Sequence, residues 1–377
     1  MGKTILRTRQ DCEDFCEGAL WLGTGGGGTL TAALDLLWGA LDDGLRLAWV
    51  DGDRIPDDAW SVTVGVHGSI APVPAEMEAE IERLGLTEHP GEWYIARAVR
   101  ELGAYLGHEF GCVVPAEIGP ESAAISLVVG ARLGLPVIDG DYIGRSVPEE
   151  LQSTYCLYDK HSDLLASVDR WGSICIVKKA ASTHALERIA KMLAIAAYGD
   201  TAVATTPLIA RDMKQIVVPR TLTLCLRIGR ALRAAREAGQ DPVAAALGVV
   251  GGWRLFDGRV DRLETEDRDG YLYGTAHLAG RGAWQGRTLA VWFKNENQIS
   301  WLDGDPWVCS PDLITLVHRA DGRGIYNAEL AEGDEVVAVG IKGVDGFRSE
   351  RGLALAGPGH FGFDVPYVPI EELLDGS

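Results

Sequence analysis

The feature that most constrains this chain is a change of texture near residue 250. From about 45 to 141, short apolar runs alternate with segments whose apolar residues recur at helical spacing. Leu45–Asp51, Ser61–Val66, Cys112–Glu117 and Pro136–Ile138 read as strands. Leu30–Leu41, 75–84, 92–106 and Ala123–Leu133 read as helices, the last stopped by Gly134. Strand–helix alternation of this kind predicts an α/β layer with a largely parallel sheet, whose ligands bind at the carboxyl ends of strands. After Gly251-Gly252 the runs shorten and are broken by Asp257-Gly258, Asp269-Gly270, Asp303-Gly304, Asp321-Gly322 and Asp345-Gly346. Asp-Gly between apolar runs marks hairpins, so a β-rich barrel or sandwich is expected there.

The expected class is therefore α/β with two domains. Residues 1–175 form the α/β part. Residues 176–377 form the second part, with helices at about 184–238 and strands from about 250. A helix is also expected at 9–18, followed by the apolar Ala19-Leu20-Trp21-Leu22.

Charge narrows the function. Across 377 residues, 35 Lys+Arg against 54 Asp+Glu leave a formal charge of −19. That argues against a nucleic-acid binder, which needs a clustered basic face, and equally against binding at an anionic membrane surface. The expected partners are a small molecule and further copies of the same chain, as a homo-oligomer. No apolar window reaches the length of a membrane span, and the first residues lack the apolar core of a secretory leader. Seven scattered cysteines fit reduced thiols in a cytoplasm better than a disulfide framework.

Gly23-Thr24-Gly25-Gly26-Gly27-Gly28 satisfies G-x-G-x-x-G and opens a helix, with Asp51 at the end of the next strand. One reading is a dinucleotide loop, hence an NAD-dependent oxidoreductase; the other is a glycine-lined turn for a different ligand. The chemically richest stretch is Ile138-Asp139-Gly140-Asp141-Tyr142-Ile143-Gly144-Arg145. Paired acids there can divide into a base and a proton donor, or share a divalent metal. Arg145 can clamp a carboxylate or a developing anion. Glu117 follows the preceding strand, and in a parallel sheet its loop can adjoin that of Asp139. His67 lies at a strand end beside Gly68. Asn295-Glu296 interrupts one apolar run and Asp312 starts another, positions suited to ligand hydrogen bonds. No C-x-x-C, H-E-x-x-H, G-x-S-x-G or P-loop is present.

These segments, with Ser146-Val147-Pro148-Glu149, Pro311-Asp312-Leu313-Ile314 and Phe361-Gly362-Phe363-Asp364, occur in an order that resembles the S-methyl thiohydantoin desulfurase-like family. The likeness runs from about residue 10 to 369. The resemblance implies an α/β N-terminal part and a β-rich C-terminal part, often found beside hydantoinase-type enzymes. It also implies hydrolysis of the C–S bond of an S-methylated thiohydantoin to a hydantoin and methanethiol. The reaction needs an activated water, a proton donor and charge stabilisation. On that expectation Asp139 or Asp141 is the base, with Glu117 or the other aspartate as acid. Arg145 stabilises the adduct, Gly25, Gly26, Gly27 and Gly28 offer backbone donors, and Asn295 and Glu296 close the site from the second domain. A non-catalytic partner of a hydantoinase is the remaining alternative.

Overall fold

A computed structural model describes residues 4–68, 75–89, 93–161 and 163–374. The first sheet draws on β1 (Thr4–Ile5), β2 (Ala48–Val50), β3 (Trp60–Gly68), β4 (Phe110–Pro115) and β5 (Val137–Ile138). It also takes β7 (Leu165–Val168), β8 (Ile174–Val177) and β9 (Asp200–Ile209), while β6 (Gly140–Asp141) pairs separately with β10 (Val218–Pro219). The order is β1-β2-β5-β4-β3-β9-β7-β8. Strands β2, β5, β4 and β3 run parallel, and the flanking strands add antiparallel, so the sheet is mixed around a parallel centre.

Both faces of that centre are covered, as parallel strands require. Val113 and Val137 pack into one apolar cluster, while their neighbours Cys112, Val114 and Ile138 pack into another. The period-2 alternation of β4 thus divides between two layers. Residues 200–209 lie in the second expected region by sequence, yet β9 hydrogen-bonds along the whole of β3. The chain returns to the first sheet before leaving for the second.

The second sheet holds β11 (Trp253–Arg268), β12 (Tyr271–Gly280), β13 (Thr288–Lys294), β14 (Glu296–Leu302), β15 (Asp305–Cys309), β16 (Leu313–His318) and β17 (Glu335–Ile341). All its pairings are antiparallel, in the order β15-β14-β13-β12-β11-β17-β16. It curls into a half-barrel, and Asn297 Nδ2 of β14 reaches Ile314 O of β16 at 3.0 Å. Asp269-Gly270 and Asp303-Gly304 make tight turns, with both residues of each pair at positive φ. Asp257-Gly258 corrects the sequence expectation: it lies inside β11, where pairing to β12 on one side and β17 on the other overrides the local turn signal. Asp345-Gly346 likewise lies in a single 3-10 turn.

The first helix is longer than expected. Arg9–Gly23 is continuous, capped by the Thr8 side chain with Asp11 reciprocating, so the apolar burst 19–22 is its buried last turn. It crosses the Thr221–Glu237 helix closely. A Cβ on Gly18 would lie 1.8 Å from Cys225 O, and one on Gly229 would lie 1.6 Å from Asp14 O. Gly229→Ala is therefore expected to destabilise by about 1–3 kcal/mol or more, as overpacking against backbone does. Urea unfolding that shows no loss would contradict this crossing.

Candidate functional site

A cleft of about 410 Å³ opens between the two domains. Its floor is the carboxyl ends of β3 and β4, which deliver His67 and Glu117. Gly26, Gly27 and Gly28 form one wall, and Asn295 and Glu296 arrive from the turn between β13 and β14. Expected residues from four separated segments are thereby brought together.

At the centre stands a serine that the sequence reading did not single out. Ser146 Oγ is fully buried, 2.8 Å from Glu117 Oε2 and 3.0 Å from Glu296 Oε1. One hydroxyl carries one proton, so both contacts are hydrogen bonds only when one carboxyl is itself protonated. Burial identifies which. Glu296 is 3 % exposed, and desolvation together with the nearby Glu117 charge pushes its carboxyl up to about 8. Glu117 is also raised by burial, but it accepts from Ser122 Oγ at 2.7 Å, Val147 N at 3.0 Å and Ser146 Oγ. With the proton on Glu296, the hydrogen bonds run from the Glu296 acid to Ser146 Oγ, and from Ser146 Oγ to Glu117 Oε2.

The glycine loop serves this pair. A Cβ on Gly26 would fall 1.8 Å from Glu296 Oε1, so any other residue there would displace the carboxyl. Gly27, at φ 76°, packs against Gly119, where a Cβ would meet the Gly119 Cα at 2.4 Å. Its carbonyl accepts from Glu121 N, which fastens the loop to the start of the Pro120–Leu133 helix. Gly25 faces Asn327 and Gly28 faces Glu121. A helix, not a strand, precedes the loop, so the strand–loop–helix context of a dinucleotide site is missing.

Around His67 the cleft is ionic. His67 Nε2 lies 3.1 Å from Glu150 Oε1; burial pulls its pKa down, but Glu150 outweighs this and the net shift is upward. Glu187, Lys191 and Tyr271 complete this part, with the Lys191 ammonium 3.2 Å from the Tyr271 ring centroid and 3.3 Å from Glu187. Glu149 pairs with Lys294 and, at 3.1 Å, with His360; these partners overcome its desolvation and hold it down at about 2. Asn295 lines the cleft at φ 57°, its side-chain oxygen accepting from Leu272 N at 2.8 Å.

Five expected site residues do not line the cleft, among them Gly25, which packs against Asn327. In the strand order β2-β5-β4-β3 the cleft lies over β4 and β3, whereas Asp139 follows β5 beside β2. Asp139 caps the Thr221–Glu237 helix, accepting from Thr223 N at 2.9 Å and from Thr223 Oγ1. Asp141 is fully buried and closes a turn onto Ile143 N and Gly144 N at 2.8 and 2.6 Å; desolvation lifts its carboxyl to about 7. Asp312 accepts from Gly343 N, Tyr367 Oη and Ile370 N at 2.7, 2.9 and 2.9 Å, pinning the C-terminal segment. Arg145 sits behind the acid pair and donates to Ser146 O, Thr24 Oγ1 and Asn297 O at 2.8–2.9 Å. Among the described residues no group of three or more His, Cys, Asp or Glu side chains is arranged to hold a metal ion.

Fold and cleft together define a protein of two joined domains, a mixed α/β layer and an antiparallel half-barrel, with paired carboxyls at the seam. Residues 10–179 match the S-Me-THD-like N-terminal domain and residues 181–370 the S-Me-THD-like C-terminal domain. The chain belongs to the S-Me-THD-like family. A crystal structure of a protein from Chromobacterium violaceum shares the fold, with a TM-score of 0.76 over 98 % of this chain and 100 % of that one, at 20 % identity. No curated protein matches the chain. No helix among the described residues is long and apolar enough to cross a membrane.

The Glu296 environment gives a pH signature. A carboxyl raised in the fold from 4.5 to about 8 binds its proton more tightly folded than unfolded. Its contribution is full below about 4.5 and is lost as pH rises through about 8. Glu296→Gln is expected to flatten part of the fall in stability between these values, measured by denaturant unfolding across pH. An unchanged slope would mean that Glu296 is ionised in the fold.

Proposed function

We propose that the protein is a hydrolase that removes the methylthio group from an S-methyl thiohydantoin-like ring, giving a hydantoin and methanethiol. The observation that carries this reading is the Glu117–Ser146–Glu296 chain, which joins two carboxyls through one hydroxyl in an interdomain cleft. Family membership supports the substrate class.

Water attacks the thioimidate carbon between the ring nitrogens while Glu117 takes one of its protons and Glu296 protonates the imine-type nitrogen. The adduct then carries a hydroxyl and the methylthio group on one carbon. As it collapses, the hydroxyl proton passes to Glu296, the C–S bond breaks, and Glu117 returns its proton to the departing sulfur. Each carboxyl accepts once and donates once, so the pair ends as it began. Ser146 keeps the two coupled throughout. Glu117 and Glu296 thus take the parts that the sequence reading gave chiefly to Asp139 and Asp141.

General acid–base catalysis contributes about 10²–10⁴ in rate, so Glu117→Gln and Glu296→Gln should each lower kcat by that order. Asp139→Asn should alter stability and leave kcat nearly unchanged. The rate should fall above about pH 8, where Glu296 loses its proton, and fall in acid as Glu117 gains one. The measurement is thiol release from a panel of S-methylated and unmodified thiohydantoins. Ring binding with no thiol released from any of them would point instead to a non-catalytic partner of a hydantoinase.

A further inference from the structure

A second cavity, of about 210 Å³, lies between the domains on the other side of Arg145. Leu22, Leu224, Val344 and Phe347 give it apolar walls. Two buried donors line it as well. Arg145 is 4 % exposed, its Nε and Nη2 donate to protein oxygens, and its Nη1 is buried without a partner. Gln152 is 1 % exposed, its Oε1 accepts from Glu149 N at 3.3 Å, and its Nε2 is likewise buried and unpartnered. Thr221 also lines this wall, its hydroxyl beside the Asp141 carboxyl.

We propose that this cavity binds a small aliphatic monocarboxylate, its head on Arg145 and Gln152 and its tail against Leu224 and Phe347. Two donors from opposite ends of one loop share the space, and a carboxylate has an oxygen for each. A buried donor left unmet costs about 1–3 kcal/mol, and more when it is charged. Arg145 keeps its charge at neutral pH even though burial lowers it to about 10. Water meets the same donors poorly, since bridging waters need two to four polar partners and these walls are largely apolar. The volume lies below the roughly 300–1,000 Å³ of sites for drug-sized ligands, which restricts the tail to a few carbons.

Thermal melting and calorimetry with sodium acetate, propionate and butyrate, each against sodium chloride at equal ionic strength, test the site without any turnover. A ligand that binds only the folded state raises its stability in proportion to ln(1 + [L]/Kd). The wild type should show a saturable shift with at least one carboxylate. Gln152→Glu keeps the acceptor for Glu149 N but turns the amide donor into an anion. Val344→Phe adds bulk to the cavity wall and changes no polar side chain. Each should weaken binding by about tenfold or more. Val344→Phe alone decides the matter if Gln152→Glu fails to fold. A wild-type shift no larger than that of chloride is a salt effect only and overturns the proposal. Undiminished binding in Val344→Phe overturns it too, since the carboxylate would then sit elsewhere.

Discussion

The arrangement of the cleft depends on one buried guanidinium. Arg145 is tied to Ser146 O, to Thr24 Oγ1 at the base of the glycine loop and to Asn297 O in the half-barrel. Burying a charge costs several kcal/mol after relaxation, which hydrogen bonds to most of its donors and opposite charge nearby offset. Here Glu117 and Asp312 act to hold the proton on Arg145 against its desolvation, and Glu296 joins them only once it ionises. The tie reaches the neighbours of the acid pair directly, because Ser146 follows Arg145 and Asn297 follows Glu296. Docking the domains and setting the Glu117–Glu296 separation are therefore one event. A chain with either half displaced would have two carboxylates and no shared proton.

The architecture was largely legible because its signals are local. Alternating strand and helix periods marked the parallel centre, and Asp269-Gly270 and Asp303-Gly304 turned where such pairs usually turn. What escaped was non-local. The antiparallel addition of β9 to β3 depends on a partner some 140 residues earlier, and nothing in residues 200–209 names it. Asp257-Gly258 carries the same dipeptide as a true hairpin, yet two flanking strands hold it extended.

The site divided along the same line. Glu117, Glu296, His67 and the glycines were visible as polar or bare positions at strand ends, and they do share a cleft. Asp139, Asp141 and Asp312 carry an identical local signature but cap a helix, a turn and the C-terminal segment. Sheet order separates Asp139 from Glu117 and His67, since the residue just after β5 meets the Thr221–Glu237 helix while the ends of β3 and β4 meet the cleft. Ser146 stood inside a segment of the family likeness but had no chemical signature of its own. A lone serine beside an arginine is unremarkable until two carboxyls from different domains converge on its hydroxyl.

Hydrolysis of a thioimidate asks for a base and an acid together at one pH, from groups that in water would both be ionised. Burial alone would protonate both carboxyls, and exposure would protonate neither. The cleft divides them by hydrogen-bond count: Glu117 has three donors that favour its anion, whereas Glu296 has Ser146 and an Oε2 without a partner. The Ser146 hydroxyl can bond both neighbours only when the pair holds at least one proton, so the geometry disfavours the empty state, while the donors gathered on Glu117 disfavour a second proton. Gly26 makes that state reachable, since a methyl group in its place would occupy the position of the acid. Four glycines in a row, which resemble a phosphate cradle when read alone, here clear room for a carboxyl.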